Sequence, residues 1–96
     1  MATLYVAEFV GHTDHTMDVA CAPPVAEQAL AIGAGSIQSA AFSGSTGVVR
    51  LMADAICSVA FGSNPTATAT NMRMAAGIPE YFRVRGGQKV AVITNV

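Results

Sequence analysis

Charge is what this chain has least of. Asp, Glu, Lys and Arg make up 11% of its 96 residues, against roughly a quarter in typical globular proteins. Residues 1–49 contain no Lys or Arg and carry Glu8, Asp14, Asp18 and Glu27. Arg50, Arg73, Arg83, Arg85 and Lys89 all fall in the second half, against Asp54 and Glu80, and the net charge is -1. A chain without a basic excess is not built as a nucleic-acid binder. Trp is absent and Tyr is limited to Tyr5 and Tyr81, which leaves little for an aromatic sugar-binding platform.

Long apolar runs are also missing. The longest charge-free stretch, residues 28–49, is broken by Gly33, Gly35, Gly44, Gly47 and several serines. It cannot form the continuous apolar helix that a bilayer demands, and no membrane partner is expected. The N-terminus has no basic region, and Glu8 interrupts its apolar residues, so it does not read as a secretory signal. The expectation is a complete product made in a cytoplasm.

Cysteine is scarce and uninformative. Cys21 and Cys57 form no C-x-x-C, so no thiol metal site or redox motif is indicated. Cys57 shares a strand pattern with Val59 and Phe61 and reads as a small core hydrophobe. A Cys21–Cys57 disulfide is not expected of a reducing compartment. Cys21 and His15 lie close in sequence, but nothing marks an activated nucleophile or a third group to orient the base. The glycine-rich stretches 33–36 and 44–47 continue neither as Gly-Lys-Ser/Thr nor as G-x-G-x-x-G, so they are turns rather than phosphate loops. No enzyme activity and no cofactor are expected.

Alternation is what the chain does have. Residues 47–62, GVVRLMADAICSVAFG, place Val49, Leu51 and Ala53 on one face and Val48, Arg50 and Met52 on the other. After Asp54-Ala55, Cys57, Val59 and Phe61 alternate with Ile56, Ser58 and Ala60. Period two on both sides of a short break predicts a β-hairpin. Residues 3–10 read as a strand with Leu4, Val6 and Glu8 on one face. Residues 17–22 form a short strand ended by Pro23-Pro24. Residues 25–32, VAEQALAI, suit a helix by propensity and a strand by alternation; a strand is expected beside strand neighbours. Residues 36–42, 66–74, 79–85 and 89–94 complete the set. Gly62-Ser63-Asn64-Pro65 is a turn, and Gly86-Gly87 is a two-residue turn of the kind hairpins favour.

Roughly eight or nine short strands separated by regular turn signals point to a sandwich or barrel rather than to βαβ units. The expected fold is all-β, a single-domain antiparallel β-sandwich of jelly-roll-like form over residues 1–96. Val6, Leu51, Val59, Phe61, Phe82, Val90 and Val92 are its expected core, with the face ambiguous at the last two. A small domain with so little charge is expected to have part of its surface covered by neighbours, so a homo-oligomer follows. The acidic first half and basic second half are either complementary faces or an asymmetry lost when strands from both halves interleave.

Two constellations carry candidate chemistry. His12, Asp14 and His15, with Asp18, can gather on a divalent metal; the spacing matches no standard site, and a solvated loop explains the same residues. Tyr81, Arg83 and Arg85 line one face of one strand. They can stack on bases or clamp phosphates, but a polar sheet face or a subunit-contact strip is the expected role.

The series VRLMADAICSVAFGSNPTATAT, followed by NMRMAAGIPEYFRVRGGQKVAVI, resembles small virion proteins encoded beside the head genes of tailed bacteriophages. The resemblance covers residues 49–93 and, more loosely, the opening TLYVAEF. It implies a capsid-decoration or cement-like structural protein located in the virion and made in the host bacterial cytoplasm. It implies no catalysis and no cofactor. The implied partners are further copies of the chain, a trimer among the possibilities, and the major capsid protein or another virion protein. Two alternatives stand beside it. One is a β-sandwich binding module for a host-surface or glycan ligand. The other is a small metal-binding protein using the His12/Asp14/His15 loop.

Overall fold

The computed structural model describes residues 2–10 and 25–95. All regular elements are strands: β1 (Thr3–Val10), β2 (Ala26–Ala31), β3 (Ile37–Gln38), β4 (Thr46–Ala53), β5 (Cys57–Gly62), β6 (Met72–Met74), β7 (Glu80–Arg83) and β8 (Lys89–Thr94). They form two four-stranded antiparallel sheets, a first sheet ordered β2-β1-β4-β7 and a second ordered β3-β8-β5-β6. The all-β sandwich read from the alternation is therefore the fold. The strand expected at 17–22, the Pro23-Pro24 break, Cys21 and the His12/Asp14/His15/Asp18 cluster lie outside the described residues.

The pairing is nested. β5 pairs with β6, β4 with β7 and β3 with β8. Successive rungs of this ladder alternate between the two sheets, as if one long hairpin were rolled around a core. That is the logic of a jelly roll. β1 lies between β2 and β4, antiparallel to both, and completes the first sheet.

Two expected hairpins are corrected. Residues 47–62 do supply two strands, but β4 and β5 lie in opposite sheets and do not pair. The polar groups at the break find other partners. The Asp54 N–H donates to the Thr3 carbonyl at 3.0 Å, the Gly77 N–H to Ala53 at 2.8 Å and the Asn95 N–H to Ile56 at 3.3 Å. The chain turns a corner between sheets, and Val49, Leu51, Cys57 and Val59 meet in one core from its two walls. Period two identifies a strand and its faces; it says nothing of the partner.

The Gly86-Gly87 turn is likewise present without a hairpin. The Gln88 N–H donates to the Arg85 carbonyl at 3.2 Å, and Gly87 has φ +86°. Yet β7 and β8, which flank the turn, belong to different sheets. Gly86 is required for a second reason: a Cβ there would lie 2.7 Å from the Gly44 Cα and from the Ser43 carbonyl oxygen.

Three expected strands are shorter than their patterns. Residues 36–42 supply only β3. The Val90 N–H donates to the Ser39 Oγ at 3.0 Å where a regular ladder would use a carbonyl, although Phe42 N–H still reaches the Gln88 carbonyl at 2.8 Å. Residues 66–74 supply only β6, and residues 79–85 supply β7, which ends at Arg83. Residues 25–32 resolve as β2: six residues are too few for a stable helix, and β1 offers a ladder.

The core follows the alternation. Val6, Leu51, Val59, Val90 and Val92 are fully buried. Val90 and Val92 both face inward, which resolves their face. Phe61 and Phe82 are only partly buried and pack against the core. Their rings pair across the two sheets with centroids 5.2 Å apart and an interplanar angle of 49°, an arrangement aromatic quadrupoles favour.

Candidate functional site

The two outer faces of the sandwich are treated differently. On the second sheet, Ser58 and Ala91 alternate outward, yet both are 0% exposed. The segment that follows β5 folds back over them. Its Pro65 and Ala67 are buried and alternate with exposed Asn64, Thr66 and Thr68. This is strand-like alternation without a strand partner.

Side chains pin that segment at both ends. Gln38 Nε2 donates to the Pro65 carbonyl at 2.7 Å and to Asn64 Oδ1 at 2.8 Å. The Ala67 N–H donates to Ser36 Oγ at 2.9 Å. Asn95 Nδ2 donates to Ser58 Oγ at 2.7 Å and to the Ala69 carbonyl at 3.3 Å. An Asn71-centred turn, with the Thr68 N–H donating to Asn71 Oδ1 at 2.6 Å, closes the far end.

On the outer face of the first sheet Phe9 and Val48 are buried, and the rows beyond them are more open. The strand registers set Glu27, Ala7, Arg50 and Tyr81 in one row across it, and Ala29, Tyr5 and Met52 in the next. Tyr5 is 46% exposed and Tyr81 57%. The small side chains of Ala7 and Ala29 leave an open groove of about 340 Å³ walled by Tyr5, Glu27 and Arg50. Arg50 Nη2 lies 3.8 Å from the Met52 sulfur, which holds the guanidinium along the face. An aromatic ring, a carboxylate and a guanidinium over an alanine floor can receive a side chain or a small polar ligand. They contain no nucleophile paired with a base.

This row also bears on the charge asymmetry of the sequence, although Asp14 and Asp18 lie outside the described residues. Glu27 comes from the acidic half and Arg50 from the basic half, and they flank Ala7 on one surface. Among the described residues, the two halves interleave on this face.

Of the expected contact strip, Tyr81 and Arg83 lie two residues apart on β7, both exposed on the open face. Arg85 has left the sheet: it sits at the turn, where its N–H donates to Gln88 Oε1 at 3.3 Å. Cys57 is buried in the core with no disulfide. Burial raises its thiol pKa, and the Glu80 carboxylate adds a smaller push in the same direction. Among the described residues, no group of three or more His, Cys, Asp or Glu converges as a metal site, and no helix is long and apolar enough to cross a membrane.

Glu8 is the residue the alternation pointed at without explaining. It stands in phase with Leu4 and Val6 and is 1% exposed. Its Oε1 accepts from the Ser43 N–H at 2.9 Å and the Thr46 hydroxyl at 2.8 Å. Its Oε2 accepts from Gln28 Nε2 at 3.1 Å. Gln28 Oε1 in turn accepts from the Ala40 N–H at 2.8 Å. The carboxylate thus ties β1 and β2 to the loop before β4. The signal in the sequence was an acid at an inward position, but its partners are not local.

Comparison of the chain with protein-family models, with curated proteins and with solved structures finds no match.

Proposed function

We propose that the chain is a non-enzymatic structural subunit of a tailed-phage virion, one that decorates or stabilises the capsid by self-association and by packing on the shell. The observation that carries the assembly reading is the difference between the two outer faces. The described residues cover one with a segment of their own and leave on part of the other Tyr5, Ala7, Ala29, Met52 and Tyr81 in register. Exposed apolar surface of this kind marks interaction sites. The low charge supports the same reading, and the resemblance of residues 49–93 supplies the virion. The partners in this reading are further copies of the chain, in a trimer or another homo-oligomer, and the major capsid protein.

Light scattering of the purified protein tests self-association, and co-sedimentation with purified capsid shells tests the virion role. A monomer at all concentrations that leaves shells unbound would remove the proposal.

The groove of Tyr5, Glu27 and Arg50 favours a second reading, a binding module for a host-surface glycan. Ring faces stack on sugars, and a flanking carboxylate and guanidinium can hold hydroxyls. A glycan-array signal lost in Tyr5→Ala would establish this reading, and a blank array would dismiss it.

A further inference from the structure

The sheet edges are unequal. β3 has two residues, and β6 has three, including Arg73. β7 has four, including Arg83. β2 has six, AEQALA, with neither Lys nor Pro and a regular register to β1 over all six. Natural edge strands are normally blunted by shortness, charge, proline or a bulge. Glu27 is the only such device on β2.

The geometry of that edge can be read from its ladder. The Ile32 N–H donates to the Ala2 carbonyl at 3.0 Å. Hydrogen-bonded pairs alternate along an antiparallel ladder, so the even residues of β2 bond to β1. The N–H and C=O groups of Glu27, Ala29 and Ala31 therefore point away from the sheet. All three residues are exposed, and they form a row of ready donors and acceptors.

We infer that this edge is filled by β2 of a second copy, antiparallel across a two-fold axis at Ala29, so that the two first sheets join into one. The inference deepens the proposed self-association and rests on it. Three observations select a second copy. Only odd residues point outward, so odd must meet odd, and a strand meets that demand when it pairs with itself. With Ala29 opposite Ala29 of the second copy, Glu27 faces Ala31 and Ala31 faces Glu27. All three outward residues are then used, and the two carboxylates are kept apart. The register with Glu27 opposite Glu27 sets like charges face to face, which cross-strand pairing disfavours. Lastly, no other edge of the described chain is as long, so a head-to-tail pairing of β2 with a different edge leaves part of it unpaired. A strand paired with itself is an isologous, closed contact.

The joined sheet extends the open face. Ala29 of each copy lies at the centre, and each Tyr5 stands one strand further out, beside its own Ala29. The groove walled by Tyr5 and Glu27 becomes a two-fold repeated feature rather than a rim.

The test is performed on the full chain with Cys21→Ser. Cys57 is buried and stays out of the chemistry. Ala29→Cys places two thiols directly opposite, where strand Cα atoms about 5.5 Å apart suit a disulfide. Ala31→Cys places them four residues out of register, on the order of 13 Å apart. Mild oxidation is expected to give a covalent dimer from position 29 and none from position 31. Independently, Ala29→Pro removes only an outward N–H, so the fold is expected to survive, while the species seen by light scattering falls to the 9.8 kDa monomer.

Equal cross-linking at both positions, no cross-link at position 29, or an odd-numbered oligomer would overturn the β2 pairing and leave self-association standing. A wild-type monomer would overturn both.

Discussion

The Thr46 hydroxyl donates to Glu8 Oε1 at 2.8 Å, and both residues are buried although 38 positions separate them. This contact closes one end of the sandwich. It joins the strand that opens the fold to the first residue of β4, and it leaves the carboxylate satisfied by neutral donors alone among the described residues.

Glu8→Ala strands the Ser43 N–H and the Thr46 hydroxyl, and it is expected to destabilise the fold by about 2–4 kcal/mol. Thr46→Val is expected to cost about 1–2 kcal/mol. Urea titration of both single variants and the double variant checks the pair. A coupling energy on the order of 0.5 kcal/mol or more is expected, and strict additivity would deny the contact.

Glycine is required at position 86 by close approach and at position 87 by φ. Gly86→Ala drives a Cβ to 2.7 Å from the Gly44 Cα and the Ser43 oxygen, and a loss of about 1–3 kcal/mol is expected. Gly87→Ala meets no atom within 4 Å but must hold φ +86°, a conformation that disfavours a Cβ by roughly 1–2 kcal/mol. Gly44→Ala, with open space and no positive φ, serves as the neutral control in the same thermal melts.

The segment over the second sheet is held by Gln38 and Asn95. Asn95→Ala removes the donor to buried Ser58, and a loss of about 1–2 kcal/mol is expected. Hydrogen exchange should quicken at the Ala67 amide in Asn95→Ala and in Gln38→Ala. Unchanged protection there would mean that packing of Pro65 and Ala67 holds the segment without these bonds.

Cys57 supplies an alkaline signature. Its thiol pKa is raised in the folded protein, first by burial and then by Glu80. Above the unfolded thiol pKa of roughly 8.5, the unfolded chain releases a proton that the folded chain keeps. The contribution is therefore full below that pH and lost as pH rises toward the folded value. Denaturant midpoints should fall between pH 8.5 and 10, in wild type more steeply than in Cys57→Ala. Equal slopes would remove the thiol as the cause.

Leu51 is fully buried at the centre of the first sheet. Leu51→Ala is expected to lose about 2–5 kcal/mol, and Phe82→Ala less than a fully buried ring would, because Phe82 is only partly buried. Comparison of their urea midpoints checks the order.

The alternation of residues 3–10, 46–53, 57–62 and 89–94 by itself determined where the main strands run and which side chains face inward. That is a local property, since successive side chains of an extended backbone point to opposite sides. Val6, Leu51, Val59, Val90 and Val92 were legible for this reason. So was β2, once its length and neighbours were weighed against its helix propensity. The low charge was legible in composition alone.

Pairing was decided only in three dimensions. The break at Asp54-Ala55 and the turn at Gly86-Gly87 look like hairpin turns, but each carries the chain from one sheet to the other. Where a strand goes depends on which distant backbone still has open donors and acceptors, such as Thr3 for Asp54 and Ile56 for Asn95. The partners of Glu8, the cover over Ser58 and Ala91, and the open row of Glu27, Ala7, Arg50 and Tyr81 have the same origin. A sequence fixes the side to which a residue points; closure of the sandwich selects its neighbours, because hydrogen bonds and packing between remote segments form only when both walls of the core are in place.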